Sequence, residues 1–380
     1  MGKKNSLLFK LAILIACTSI ICILIMIILG MISYAGPFFI VHLISLVIIF
    51  NGYDSLKGYT YTIMIFLSVT LAMYYPMYFM EWGGYKLSGL ITPLIQLIMF
   101  GMGTSLSFTD FWKVLKTPKG VFIGVASHFM IMPLIGFLLA SISGFPPEIA
   151  AGIVLIGCSP NGMASNVISY LARANLALSV TITAVSTMIS PFSTPLLMKL
   201  LAGTFIQIDV FHMMWDISKM VIIPIGAGLL FNKLLKGKAL WLDKSMPYVS
   251  MFGIAFSIIV IVAAGRDSLL TIGPLLLGLL LIHNLSGYFL GYWSARLFKM
   301  SERDCRTVAI EVGMQNGGLA SGIAKELGKI ATVGLAPAIF GSLMNVTGSF
   351  LASWWHKKIP KDSDELNYDV PSGINELSVK

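Results

Sequence analysis

Charge is what this 380-residue chain has least of: Asp, Glu, Lys and Arg together make up 11% of it, where a soluble domain carries about a quarter. A surface so poor in charge excludes an ordinary soluble fold. Cysteine is scarce as well. Cys17, Cys22, Cys158 and Cys305 show no CxxC spacing, which argues against a disulfide framework and a thiolate metal site. His42, His212 and His356 have no metal-ligand spacing, and no Walker A, Rossmann fingerprint, HExxH or nucleophile elbow occurs. No nucleophile–base pair stands out, so the chain reads as something other than an enzyme.

Hydrophobic residues fill that space, at 57% of the chain and a mean hydropathy of +0.86. Runs of about 20 apolar residues read as membrane helices, and twelve spans are predicted: 8–33, 37–53, 61–80, 88–107, 119–142, 148–171, 175–200, 210–232, 246–264, 269–297, 304–325 and 331–355. The first is longer than the apolar region of a signal peptide and counts as a span. With the N-terminus inside, only Lys86, Lys199, Lys219, Arg266, Lys325 and Lys329 of the 26 Lys and Arg residues fall outside the cell. That bias is the positive-inside rule. It places both termini in the cytoplasm of a multi-pass protein of the cell (inner) membrane, and it explains the net charge of +9 by topology rather than by nucleic acid. The polar residues 356–380 read as a disordered cytoplasmic tail.

Two stretches echo one another at an offset of 155 residues: HFMIMPLIG from His128 and HNLSGYFLG from His283. Thirty-three residues after each histidine stands an Asn-Gly pair, Asn161-Gly162 and Asn316-Gly317. An odd number of spans per copy inverts the second copy, and inverted repeats with interrupted helices are a transporter architecture. Pro160, Gly162, Gly313, Gly317 and Gly318 mark the two expected interruptions. Backbone groups freed there cannot be satisfied by lipid and must face protein, a cavity or an ion. Glu311 is the one acid expected deep within a span, a position that is costly and usually functional; a structural ion pair or a protonated, hydrogen-bonded acid is the plainer alternative.

At FGMG (100–103), CSPNGMASNV (158–167), YLARANLALSVTITAVSTMISP (170–191) and EVGMQNGGLA (311–320) the chain resembles the bile acid:sodium symporters and their bacterial relatives. The resemblance covers about residues 61–355. It implies an all-α polytopic fold of two inverted five-helix repeats with two crossing broken helices, to which 1–60 adds two helices of unknown role. Panel helices would lie at about 61–107 and 210–264, and core helices at about 119–200 and 269–355. The function implied is sodium-coupled import of an organic anion such as a bile acid or small carboxylate, by alternating access. Proton-coupled transport or export on the same fold is the rival.

The resemblance also assigns residues. Ser165, Asn166, Ser179, Thr183 and Glu311 match the oxygen ligands of a first sodium site, and Ser179 and Thr183 are four apart, on one helix face. Oxygen donors suit a small hard cation. A second sodium site would take Glu311, the backbone of Val312 and Met314, and Gln315. Its remaining ligand, a glutamine in the family, is here His128, which has no carbonyl oxygen. That site is expected to be weakened, reorganised or replaced by a proton on His128, unless the histidine is merely hydrogen-bonded in the bundle. Substrate contacts are expected from Asn316, Gly317, Met163 and Asn161, with the amides of a half-helix N-terminus beside Asn316 facing the anion. The partners implied are that anion and the bilayer; the oligomeric state is left open.

Overall fold

The computed structural model describes residues 7–53, 56, 60–105, 118–235, 240–358 and 360. Among the expectations above, the end of the fourth span at 106–107 and the tail at 361–380 lie outside the described residues. Helices α1 (Leu7–Ile28), α2 (Gly36–Gly52) and α3 (Thr60–Tyr74) come first, followed by α4 (Ile91–Ser105) and α5 (Pro118–Ile142). The sixth predicted span is two helices, α6 (Pro147–Cys158) and α7 (Ala164–Leu171). Then come α8 (Leu176–Leu197), α9 (Val210–Met220), α10 (Ile222–Leu235), α11 (Leu240–Ala264) and α12 (Arg266–Leu297). The eleventh span is again two helices, α13 (Glu302–Gly313) and α14 (Gly317–Glu326), and α15 (Leu335–His356) closes the bundle. Among the described residues seven helical stretches are long and apolar enough to cross a membrane, and four shorter apolar helices accompany them.

Several boundaries differ from the apolar pattern, each for a local reason. The span predicted to 33 stops at Ile28 because Gly30 takes φ +68°, the left-handed conformation that ends helices. The span predicted to 80 ends at Tyr74. A small hairpin, β1 (Glu81–Trp82) against β2 (Tyr85–Lys86), turns through Gly83 and Gly84, both at positive φ, as a tight two-residue turn requires. The eighth span is interrupted at Val221, between α9 and α10. Pro224 lacks the N–H that would reach back four residues to Met220, so the helix loses a bond there.

The two interruptions set the architecture around the site. Before Pro160, Ser159 is extended at ψ 153°, the conformation a following proline imposes. At the other interruption Met314 is extended at φ −107°, ψ 110°. The two extended segments meet as a short antiparallel pair, Asn161 opposite Gln315. The Gly162 amide donates to the Met314 carbonyl at 3.1 Å, and the Asn316 amide donates to the Pro160 carbonyl at 2.7 Å. Gly162 is required at this crossing, since a Cβ there would lie 2.6 Å from the Gln315 carbonyl oxygen.

Around the crossing, α13 packs on α12 and α5, α6 packs on α5, and α15 packs on α12 and α6. Helix α4 packs on α10 and α11, and α3 on α11. The additional helices sit at one edge, α1 against α2 and α2 against α3, where the Tyr74 hydroxyl donates to the Ile32 carbonyl at 2.9 Å.

Candidate ion and substrate site

Glu311, in the last turn of α13, is completely buried. Among the described residues no basic side chain lies within ion-pair distance of it, so the ion pair weighed as its plainer role is not formed. Its partners are hydroxyls. The Ser165 Oγ lies 2.7 Å and the Ser179 Oγ 2.5 Å from Oε1, and the Thr183 Oγ1 lies 2.9 Å from Oε2. The Asn166 Oδ1 lies 2.9 Å from Ser179 Oγ and 3.4 Å from Thr183 Oγ1. Thr183 Oγ1 is also 3.1 Å from the Ser179 carbonyl and 3.4 Å from Ser165 Oγ.

The sequence folds this way because each ligand helix is anchored near the cluster. Asn175 caps α8 by accepting from the Leu178 amide at 3.1 Å, while its Nδ2 donates to Asp304 Oδ1 at 2.8 Å. The Asn175 amide donates to Thr307 Oγ1 at 2.9 Å. One residue thus fixes the start of α8 against the first turns of α13. Ser179 and Thr183 then project from one face of α8 toward Glu311, four and eight residues further along.

The cluster is rich in oxygen and poor in protons. Seven oxygen–oxygen approaches of 3.4 Å or less share three hydroxyl protons, and a protonated Glu311 would add only a fourth. A hydroxyl has a single proton to donate, and a buried acceptor left without a donor is costly. Oxygen lone pairs beyond those the three protons engage are what a small cation would take as ligands. Hard cations take oxygen ligands of this kind, and the donor set fits sodium.

Residues expected around a second ion surround the interruption in α13–α14. The Val312 carbonyl accepts from Gln315 Nε2 at 2.8 Å, and the Met314 carbonyl accepts from Gly162. The buried Gln315 Oε1 has no donor among the described residues, and neither has the buried Asn161 Oδ1. His128 is completely buried. Its Nε2 lies 2.8 Å from the Ser159 carbonyl oxygen and its Nδ1 lies 3.0 Å from Asn161 Nδ2.

Asn316 differs from expectation in one respect. Its Oδ1 accepts from the Leu319 amide at 3.0 Å, so it caps α14 itself and occupies an amide that was expected to face an anion. The Asn316 Nδ2 has no hydrogen bond to another described residue, and the side chain is 9% exposed. Gly317 is buried at the first position of α14, and Met163 is half-buried at the start of α7, whose N-terminus no side chain caps.

Some residues at the site were not singled out from sequence. Asn284 donates from Nδ2 to the Gly313 carbonyl at 2.8 Å and accepts from Thr347 Oγ1 at 2.6 Å. Thr194 donates to the Cys158 carbonyl at 2.7 Å. Both satisfy carbonyls at the ends of the broken helices. The signal for Asn284 was its place beside His283 in the repeated stretch.

An all-helical membrane bundle whose buried acid is ringed by hydroxyls where two broken helices cross is the form of an ion-coupled transporter. The sequence pattern of the Sodium Bile acid symporter family matches residues 92–272. A protein of Bacillus subtilis (strain 168) named "Uncharacterized sodium-dependent transporter YocS" is 37% identical over 305 residues, 80% of this chain and 93% of that protein. The Arabidopsis thaliana protein named "Probable sodium/metabolite cotransporter BASS1, chloroplastic" is 32% identical over 272 residues, 71% of this chain and 68% of its own length. Its counterpart of the same name in Oryza sativa subsp. japonica is 33% identical over 282 residues, 72% of this chain and 69% of its own. The chain belongs to the sodium bile acid symporter family, whose members are sodium-dependent transporters rather than enzymes.

Proposed function

We propose that this protein is a symporter that couples inward sodium flow to the uptake of an organic anion across the cell membrane, with both termini cytoplasmic. The observation that carries the reading is the Glu311 cluster, where oxygens outnumber the protons available to join them. Sodium enters that cluster as cargo. Glu311 supplies the charge, Ser165, Asn166, Ser179 and Thr183 supply neutral oxygens, and the removal of mutual oxygen repulsion favours the closed arrangement of α7, α8 and α13. A second sodium lies beside Gln315, at the crossing.

The anion binds next to the crossing, where two features favour negative charge. The uncapped start of α7 leaves backbone amides directed along a helix dipole. Asn316, its oxygen held by Leu319, presents only N–H groups outward. Met163 adds a flexible apolar surface beside them, which suits a carboxylate or sulfate with a hydrophobic body. In this reading residues 119–200 and 269–355 move as a core against a panel of 61–107 and 210–264.

The first test needs no substrate. The purified protein is melted in sodium and in potassium at equal ionic strength, beside Glu311→Gln. An ion that binds only the folded state stabilises it by about 2.7 kcal/mol at a hundred times its dissociation constant. Sodium-specific stabilisation of that order, lost in the variant, is expected. Equal melting in both salts overturns sodium coupling, and uptake into vesicles under an imposed proton gradient then decides the proton-coupled alternative.

A further inference from the structure

The Asn161–Gln315 pair leaves two oxygens unaccounted for. The bonds flanking it run from the Gly162 amide to the Met314 carbonyl and from the Asn316 amide to the Pro160 carbonyl, so Asn161 and Gln315 themselves form a non-hydrogen-bonded antiparallel pair. In such a pair the two side chains leave the same face, with Cβ atoms about 4.5–5.5 Å apart. Both side chains are completely buried. Each ends in a carboxamide whose oxygen lacks a donor among the described residues.

The orientation of each amide follows from its neighbours. His128 Nε2 is 2.8 Å from the Ser159 carbonyl and Nδ1 is 3.3 Å from the Glu311 carbonyl; the neutral ring has one proton, which the shorter contact places on Nε2, leaving Nδ1 an acceptor. Asn161 Nδ2 lies between that Nδ1, at 3.0 Å, and the Glu311 carbonyl oxygen. Two acceptors require the NH2 end, and the oxygen must point the other way. Gln315 is held in the same manner, its Nε2 on the Val312 carbonyl at 2.8 Å. Two oriented carboxamides therefore stand on side chains that leave one face of the crossing, and neither oxygen has a donor among the described residues. Leaving two buried acceptors unsatisfied is costly. The neighbouring carboxylate, Glu311, has no basic partner among the described residues.

We propose that the Asn161 Oδ1 is a ligand of the second sodium ion, together with Gln315 Oε1, and that His128 is a positioning residue that turns Asn161 toward that ion instead of binding it. The assignment rests on the sodium reading above. It accounts for a histidine at a place where a carbonyl ligand was expected: the oxygen is supplied one contact further on, from the opposite broken helix. Histidine there is held at Ser159 and Asn161, with its Nδ1 also 3.3 Å from the Glu311 carbonyl, and these contacts serve to orient.

Radioactive sodium bound at saturation to the purified full-length protein tests this, alongside melting in potassium as a check on folding. Two ions per chain are expected for the parent. Asn161→Ala is expected to bind one, with its melting in potassium unchanged, and Asn161→Ala combined with His128→Gln to bind two again, because glutamine returns a carboxamide oxygen. His128→Ala is expected to weaken the second ion about tenfold, the loss of a buried side chain being read separately as an earlier melt in potassium. If Asn161→Ala melts early, Gln315→Met, which keeps the shape and removes the amide, takes its place and is expected to bind one ion. Two ions undiminished in Asn161→Ala, or in Gln315→Met where that variant is needed, overturn the assignment, the oxygens then holding a water. A single ion in the parent overturns it too. Glu311→Gln separates the two levels: if it leaves sodium binding intact, the sodium reading itself fails, whereas its loss of binding together with a silent Asn161→Ala removes only this ligand.

Discussion

Glu311 and Gly162 were each conspicuous in the sequence for being wrong in a membrane helix, one for its charge and the other for its poor helix propensity. Their roles are different in kind. Glu311 gathers hydroxyls from α7 and α8, and the chemistry of that cluster could be anticipated from oxygen-bearing residue types alone. Gly162 is needed for space, with the Gln315 carbonyl immediately above it. Gly162→Ala is therefore expected to cost about 1–3 kcal/mol by overpacking, read as an earlier melt in potassium, where no sodium contribution enters. An unchanged melt would mean that the crossing relaxes freely. The roles of His128 and Asn161 could not be read in advance. Their neighbours are the carbonyls of Ser159 and Glu311, and backbone groups leave no mark in a sequence.

At the scale of elements, apolar run length predicted twelve spans, and seven helical stretches among the described residues are long and apolar enough to cross a membrane, with four shorter apolar helices beside them. Pro160 explains the end of α6 directly, through its missing N–H and the extended Ser159 before it. The interruption between α13 and α14 has no proline, and glycine content there indicated weakness without fixing a conformation. The pairing of Met314, Gln315 and Asn316 with residues 160–162 does that. The hairpin at 81–86 and the interruption at Val221 went unread because hydropathy does not register a two-residue turn or a single lost bond. Asn175 connects α8 to α13 through its cap and its bonds to Asp304 and Thr307. Asn175→Ala is expected to lose about 1–2 kcal/mol of stability, the upper range for a cap, and to raise the sodium concentration at half-maximal stabilisation several-fold. A stability loss with no change in that midpoint would confine Asn175 to a structural role.

On the scale of the whole molecule, the proposed alternating access would open the crossing to each side in turn, and the contacts between the proposed core and panel are where that movement would show. One is well defined: the Thr92 Oγ1 of α4 donates to the Glu326 Oε1 of α14 at 2.7 Å, where the Lys325 ammonium also lies 2.8 Å away. A Thr92→Cys and Glu326→Cys pair joined by a short, reducible thiol crosslinker is expected to stop uptake and to regain it on reduction, while sodium still stabilises the joined protein. Uptake that continues while crosslinked would place the moving boundary elsewhere. Composition suffices for the class of this protein, since so many apolar residues with so little charge admit only a membrane bundle, and a lone acid among helix breakers points to the site proposed for its chemistry. Those conclusions are local, because hydropathy, proline and glycine act within a turn or two of where they stand. The tertiary structure alone decided which atoms meet. Residues 128, 183 and 311 come from three different helices and residue 161 from the extended segment between two more, and only the packing of those segments brings a histidine against an asparagine while hydroxyls from two helices crowd one carboxylate.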